Sequence, residues 1–309
     1  VRNGGMEIQS GFNTIDDLAY TYNPASPNQL LKVEDATNDT DGFKNGTNTN
    51  DDYDYDANGN MVKDDNKSIQ KIVYNHLNLP TQIIFQKGGD FPSISYLYTA
   101  TGKKVSKTIT PATRGTTPYT VDYLDGYQYE KGVLLFFPTA EGYVKNTLVN
   151  NVNSYDYVFN YTDHLGNIRL SYGINPSTGS LTTFEESNYY PFGLKHATYN
   201  YALRQIESVK EVEILQEADA EAGLEQIAVE VFDKKALMID RLKLELNSVY
   251  NYKYNGKELQ DELGLNWYDY GARNYMPDIG RWGNTDPLAE KFISESPYAY
   301  VNNDPMGYS

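Results

Sequence analysis

Tyr53-Asp54-Tyr55-Asp56-Ala57-Asn58-Gly59-Asn60 is the stretch from which the fold can be read. Tyrosines at i and i+2 leave a strand from the same face, and Asn58-Gly59 supplies the positive φ angles of a two-residue hairpin turn. The stretch predicts a short β-hairpin with an aromatic face. It recurs in degraded form as Tyr96-Leu97-Tyr98-Thr99-Ala100-Thr101-Gly102-Lys103, with Tyr74-Asn75-His76-Leu77-Asn78-Leu79-Pro80 between the two. Tyr53, Tyr74 and Tyr96 mark a beat of roughly 21 residues, the signature of a repeated supersecondary unit.

Working outward, the partner strands are apolar and β-branched, as in Ser68-Ile69-Gln70-Lys71-Ile72-Val73-Tyr74 and Thr81-Gln82-Ile83-Ile84-Phe85. This composition favours one continuous antiparallel sheet. Further hairpins are expected between Val121 and Val133, turning at Asp125-Gly126 or Lys131-Gly132, and between Tyr155 and Tyr172, turning at Leu165-Gly166-Asn167. Strand dominates to about residue 200. Two segments break the pattern. Residues 35–52, rich in Asn, Asp, Thr and Gly, read as a surface loop. In residues 203–249 Gly and Tyr nearly vanish and Ile227, Val231 and Ala236-Leu237 fall at helical spacing, which predicts an α-helical insertion, either packed against the strands or serving as a lid or docking arm.

Composition excludes several classes. The chain has 309 residues, enough for a sizeable core. Its 42 acidic against 26 basic residues give a net charge of −16, which repels phosphate backbones and argues against a nucleic-acid partner. Aromatic residues make up 14%, with 29 tyrosines, far from the composition of a disordered chain. No run approaches the roughly 18 apolar residues of a membrane span. The absence of cysteine removes disulfides and thiolate chemistry, and no Walker, dinucleotide or nucleophile-elbow spacing occurs, so no nucleotide cofactor is expected. Val1 is neither a Met nor the start of a leader, so the chain is expected to be a mature product or a fragment.

The end of the sequence is distinctive. It reads Tyr252-Lys253-Tyr254-Asn255-Gly256-Lys257-Glu258, then Gly264-Leu265-Asn266-Trp267-Tyr268-Asp269-Tyr270-Gly271-Ala272-Arg273-Asn274-Tyr275, then Pro277-Asp278-Ile279-Gly280-Arg281-Trp282, Thr285-Asp286-Pro287-Leu288 and Tyr298-Ala299-Tyr300-Val301-Asn302-Asn303-Asp304-Pro305. Together with the Tyr-Asp ("YD") units, Tyr161-Thr162-Asp163-His164-Leu165-Gly166-Asn167-Ile168-Arg169 and Tyr189-Tyr190-Pro191-Phe192-Gly193, it closely resembles the Rhs repeat-associated core, in the form common among Bacteroidota. The resemblance implies a mainly β chain whose YD-repeat antiparallel hairpins form part of a spiralling hollow β-shell. Residues 1–202 would be a shell segment, 203–249 the helical insertion and 250–309 the core.

The chemical candidates are few. Asp54, Asp56, Asn58 and Asp65 match most of a calcium-loop template, although the YD hairpin already explains them and the last position is Asp rather than Glu. No other cofactor is expected. Paired aspartates can run acid–base hydrolysis if one stays protonated while the other is ionised. Many Rhs cores cleave themselves in this way, and the resemblance places one such aspartate at Asp286, with Arg281 as an electrostatic partner. Asp304 is a second candidate. Asn302-Asn303-Asp304-Pro305 also fits an element that precedes the cleavage motif, which would put the second aspartate beyond Ser309.

The resulting expectation is a non-enzymatic encapsulation module of a secreted or surface-displayed bacterial protein, resembling polymorphic toxins. It would enclose or present its own C-terminal effector, continue into upstream shell repeats, and reach the surface through export machinery such as the type IX route. The alternatives are an adhesion or glycan-binding module, marked by an aromatic row on the outer face, and a self-cleaving aspartyl peptidase core.

Overall fold

The computed structural model describes residues 1–4, 13–37, 41–46, 49–112, 116–149, 152–175, 179–196 and 250–307. The helical insertion expected over 203–249 lies outside the described residues.

Two small hairpins come first, β1 (Arg2–Gly4) with β2 (Asn13–Asp16) and β3 (Leu18–Asn23) with β4 (Ser26–Asp35). A 13-stranded antiparallel sheet follows in strict sequence order. Its strands are β5 (Tyr53–Tyr55), β6 (Met61–Asp64), β7 (Ile69–Tyr74), β8 (Pro80–Phe85), β9 (Ser93–Tyr98), β10 (Lys104–Thr110) and β11 (Tyr119–Leu124). They continue through β12 (Tyr127–Glu130), β13 (Val133–Pro138), β14 (Gly142–Val149), β15 (Val152–Thr162), β16 (Ile168–Ile174) and β17 (Leu181–Glu186). Every neighbour in space is a neighbour in sequence, so the sheet is a pure meander of hairpins.

One five-residue turn recurs along it. In residues 56–60, 75–79, 99–103 and 163–167 the first N–H donates to the fifth carbonyl and the fourth N–H donates to the first carbonyl. The fourth residue takes positive φ each time: Gly59 (+81°), Asn78 (+57°), Gly102 (+85°) and Gly166 (+77°). This is a type I turn closed by a left-handed residue, so only Gly59, and not Asn58, takes the positive φ expected of both. The first side chain ties the turn down: Asp56 Oδ1 accepts from the Asn58 and Asn60 amides, and Asp163 Oδ1 from those of Leu165 and Asn167. Both Asp125-Gly126 and Lys131-Gly132 are turns, each with positive φ at both residues.

At three places a tyrosine directly before a turn of this type takes up the same task. The Tyr74 hydroxyl donates to the Met61 carbonyl (2.6 Å), that of Tyr98 to Pro80 (2.9 Å) and that of Tyr189 to Ile168 (2.9 Å). In each case the acceptor directly follows the preceding turn of the same type. Tyr74 is therefore the counterpart of Tyr55 and Tyr98, not of Tyr53 and Tyr96 as the sequence beat suggested. Tyr53, Ile72 and Tyr96, two residues earlier, are buried in the main core.

Residues 35–52 are not simply a surface loop. Phe43 is buried in the main core and Asp16 Oδ1 accepts from its amide (2.6 Å), while buried Asp52 accepts from the Val33 amide (2.9 Å).

The last segment forms a four-stranded antiparallel sheet of β18 (Glu258–Gln260), β19 (Trp267–Asp269), β20 (Asn274–Met276) and β21 (Arg281–Trp282). Leu265, Trp267, Met276 and Ile279 pack in one core with Ile69, Ile83, Ile94 and Ile109, which seats the tail on one face of the large sheet. Further along that face, Phe136, Tyr143 and Val158 pack against Tyr250 and Tyr252.

Candidate functional site

The tail holds the sheet by two kinds of contact. The first is a web of buried ions. Lys104 lies 2.7 Å from Glu258 and 2.5 Å from Asp269, and Lys107, 1% exposed, lies 3.0 Å from Glu258 and 2.5 Å from Glu262. The Tyr123 hydroxyl donates to the same Glu258 (2.7 Å). Burial alone would raise the Glu258 carboxyl, but the two lysines overcome it and hold it down at about 2. Lys67 pairs with Asp278. The polarity reverses at Lys253 of the tail, 2.5 Å from Glu185, whose carboxyl Lys253 and Lys195 bring to about 2 against burial.

The second contact is a set of tyrosine hydroxyls that read turn carbonyls. Residues 190–194 repeat the five-residue turn. Tyr254 donates to Pro191 (3.0 Å), Tyr275 to Phe192 (2.8 Å) and Tyr268 to Gly193 (3.2 Å). Asn255 clasps another turn, its amide donating to Asn167 Oδ1 (2.8 Å) and its Nδ2 to the Leu165 carbonyl (2.9 Å). Tyr298 reaches the first turn, donating to the Gly59 carbonyl (2.6 Å). The rings of Tyr254, Tyr268, Tyr275, Tyr300 and Trp282 form their own cluster, with Tyr275 and Tyr300 stacked at 3.9 Å. Sequence reading quoted these residues as a motif and missed what they hold.

Asp286 sits at the edge of this cluster. Its Oδ2 is 2.9 Å from Arg273 Nη2, and its Oδ1 accepts from the Leu288 amide (2.7 Å). Arg273 lies over the Trp282 ring at 4.1 Å, and its Nη1 is buried with no hydrogen-bond partner among the described residues. The arrangement is a half-buried carboxylate fixed by a guanidinium.

The other candidates fall elsewhere. Arg281, expected beside Asp286, instead donates to the Tyr22 hydroxyl (2.9 Å) and the Asn28 carbonyl (2.8 Å). It lines a cavity of about 410 Å³ between the first hairpins and the tail, together with Tyr20, Tyr190 and Asp278. The sequence signal for Arg273 was present in Gly271-Ala272-Arg273-Asn274, but position alone could not say which arginine turns towards Asp286. Asp304 is exposed and its Oδ1 accepts from the Gly307 amide (3.1 Å), so it closes its own turn.

The calcium candidates are not gathered round a point. Asp56 holds its turn, and Lys63 lies 2.6 Å from Asp65 and 4.0 Å from Asp54. Among the described residues no group of three or more His, Asp or Glu could hold a metal ion, because Asn58 and its neighbours build a hairpin and not a coordination loop.

Comparison with solved structures matches this architecture. The chain shares its fold with TcdB2–TccC3. The match to the crystal structure of TcdB2–TccC3 has a TM-score of 0.55 at 17% identity and covers 93% of this chain but 13% of that one. The complex with Cdc42 gives 0.52, and TcdB2–TccC3 without its hypervariable C-terminal region gives 0.51, over the same shares. Among curated proteins, salivary gland surface protein 1 of Aedes aegypti is 46% identical over 55 residues, which are 18% of this chain and 2% of that protein. No family model matches the chain. No helix among the described residues is long and apolar enough to cross a membrane.

Proposed function

We propose that this chain is a stretch of wall in a larger Rhs-type β-shell, with the tail as its inner clasp. The shell belongs to a secreted or surface-displayed bacterial protein and encloses or presents a variable C-terminal effector. The observation that carries this reading is the 13-stranded sheet linked only by hairpins, one face of which is covered by the tail. Such a sheet lengthens by adding hairpins at its ends. The fold likeness to TcdB2–TccC3, a protein solved with and without a hypervariable C-terminal region, supports it. Protease digestion of the parent protein tests it. The region downstream of residue 309 stays protected while the wall is intact and is degraded when the tail is unlatched by Glu258→Ala. Equal digestion in both overturns the enclosure.

Within that reading Asp286 is one carboxyl of a processing site that cuts downstream of the tail, oriented by Arg273. Hydrolysis needs a second carboxyl to act as the opposite proton partner, and the segment beyond residue 309 supplies it. Intact mass of the parent decides: wild type shows a cut chain and Asp286→Asn an uncut one. One uncut mass for both makes Asp286 and Arg273 structural.

A further inference from the structure

The face of the sheet opposite the tail has no part in the proposed enclosure. On β15 the side chains of Tyr155, Tyr157, Phe159 and Tyr161 alternate with inward residues such as Val158, and the four are 52%, 65%, 40% and 66% exposed. A strand buried on one side normally turns polar residues outward. Here the outward positions are aromatic without exception over seven residues.

The patch extends across the strands. Tyr157 pairs with Val144 and Val144 with Phe137, whose ring stacks on Tyr127 at 5.1 Å. On the other side Phe159 stacks on Tyr172 at 5.8 Å, and exposed Ile174 pairs with exposed Leu181. On this face β14, β15 and β16 present no charged side chain from Gly142 to Asn146, from Tyr155 to Tyr161 or from Leu170 to Ile174.

We infer that this aromatic face is a contact between two copies of the chain, packed sheet against sheet about a twofold axis. Two arguments select the second copy. The first is charge. Each copy carries −16, so two copies repel on net charge, and a strip on which β14, β15 and β16 present no charged side chain adds least to that repulsion. The second is area. At roughly 200 Å² per full aromatic side chain, the four rings leave on the order of 450 Å² uncovered, and Ile174 and Leu181 bring it to about 600 Å². Two such faces remove about 1,200 Å² from water, which reaches the size of stable specific interfaces. Sheets pack face to face about 10 Å apart with side chains interleaved, and a twofold axis near Tyr157 lets each row fill the gaps of its copy.

The test is the mass in solution of the full chain by light scattering over a concentration series, for wild type, Tyr157→Glu and Tyr157→Phe. The expected result is a wild-type dimer, at least about tenfold weaker dimerisation with Tyr157→Glu, and little change with Tyr157→Phe. Added salt should tighten the dimer by screening the two net charges, opposite to an interface held by ion pairs. A chain that stays monomeric overturns the proposal, as does a dimer that Tyr157→Glu leaves intact. A monomer that is retained on an immobilised polysaccharide and released by Tyr157→Glu assigns the face to adhesion instead.

Discussion

Lys107, almost without exposure, holds Glu258 at 3.0 Å across the boundary between sheet and tail. The two residues are 151 positions apart in sequence, and with Lys104 and Glu262 they make the tail's attachment an ionic one inside an apolar junction.

Removing one member of such a cluster leaves its partner charged in a dry site, which costs about 3–5 kcal/mol. Glu258→Ala should lower stability by that amount in denaturant unfolding and make the tail the first segment cut by protease. A loss below about 1 kcal/mol would show the cluster to be solvated.

This cluster and the separate pairing of Glu185 with Lys253 and Lys195 set the acid limit together. Glu258 and Glu185 ionise in the folded chain at about 2, below their ordinary value of 4.5. A depressed carboxyl adds stability above its unfolded value and loses it as pH falls. The midpoint of thermal unfolding should therefore drop between about pH 4.5 and 2, and Glu185→Gln should flatten the drop.

Asp64 behaves oppositely. It is fully buried, and burial with Asp278 nearby raises its carboxyl to about 7 despite Lys67. Folding favours its protonated form, so this residue's contribution is complete below its ordinary 3.8 and is lost as pH rises to about 7. Asp64→Asn keeps an acceptor for the Lys67 amide and should gain melting temperature over wild type above neutral pH, with no gain at pH 4. A gain independent of pH would assign the effect to packing.

Tyr74→Phe and Tyr98→Phe each delete one hydroxyl bond to the previous repeat. Each should cost about 1 kcal/mol, and the double variant should depart from the sum, because Tyr74 lies opposite Pro80, whose carbonyl Tyr98 binds. Tyr161→Phe, at an exposed ring, is the control and should leave unfolding unchanged.

Gly59 has φ +81°, and a Cβ there would lie 2.8 Å from both Thr285 and the Tyr298 hydroxyl. Gly59→Ala should cost more than the roughly 1 kcal/mol of the backbone conformation alone, and hydrogen exchange should show the loss around Tyr298 first.

The hairpins were legible because turn chemistry is local: Gly59, Gly102 and Gly166 mark positive φ in the sequence itself. Which tyrosine of each pair is buried was not legible, because Tyr55 and Tyr74 differ from Tyr53 only in what the neighbouring repeat offers them. Phe43 hid within a polar loop, since one apolar residue carries no period. At the site, Asp286 stood out through its motif while its partner did not. Arg273 and Arg281 are both near it in sequence, and only in the folded chain does Arg281 turn to Tyr22 and Asn28 while Arg273 faces Asp286.

The strict meander also separates two timescales of assembly. Each strand of the large sheet finds its partner in chain just made, so the wall can grow in the order of synthesis with short loop closures throughout. The tail must instead span distances such as the 239 positions between Tyr298 and Gly59. Docking of the tail is thus expected to be the late, slow event, and until it happens the face of the sheet that the tail covers stays open to solvent.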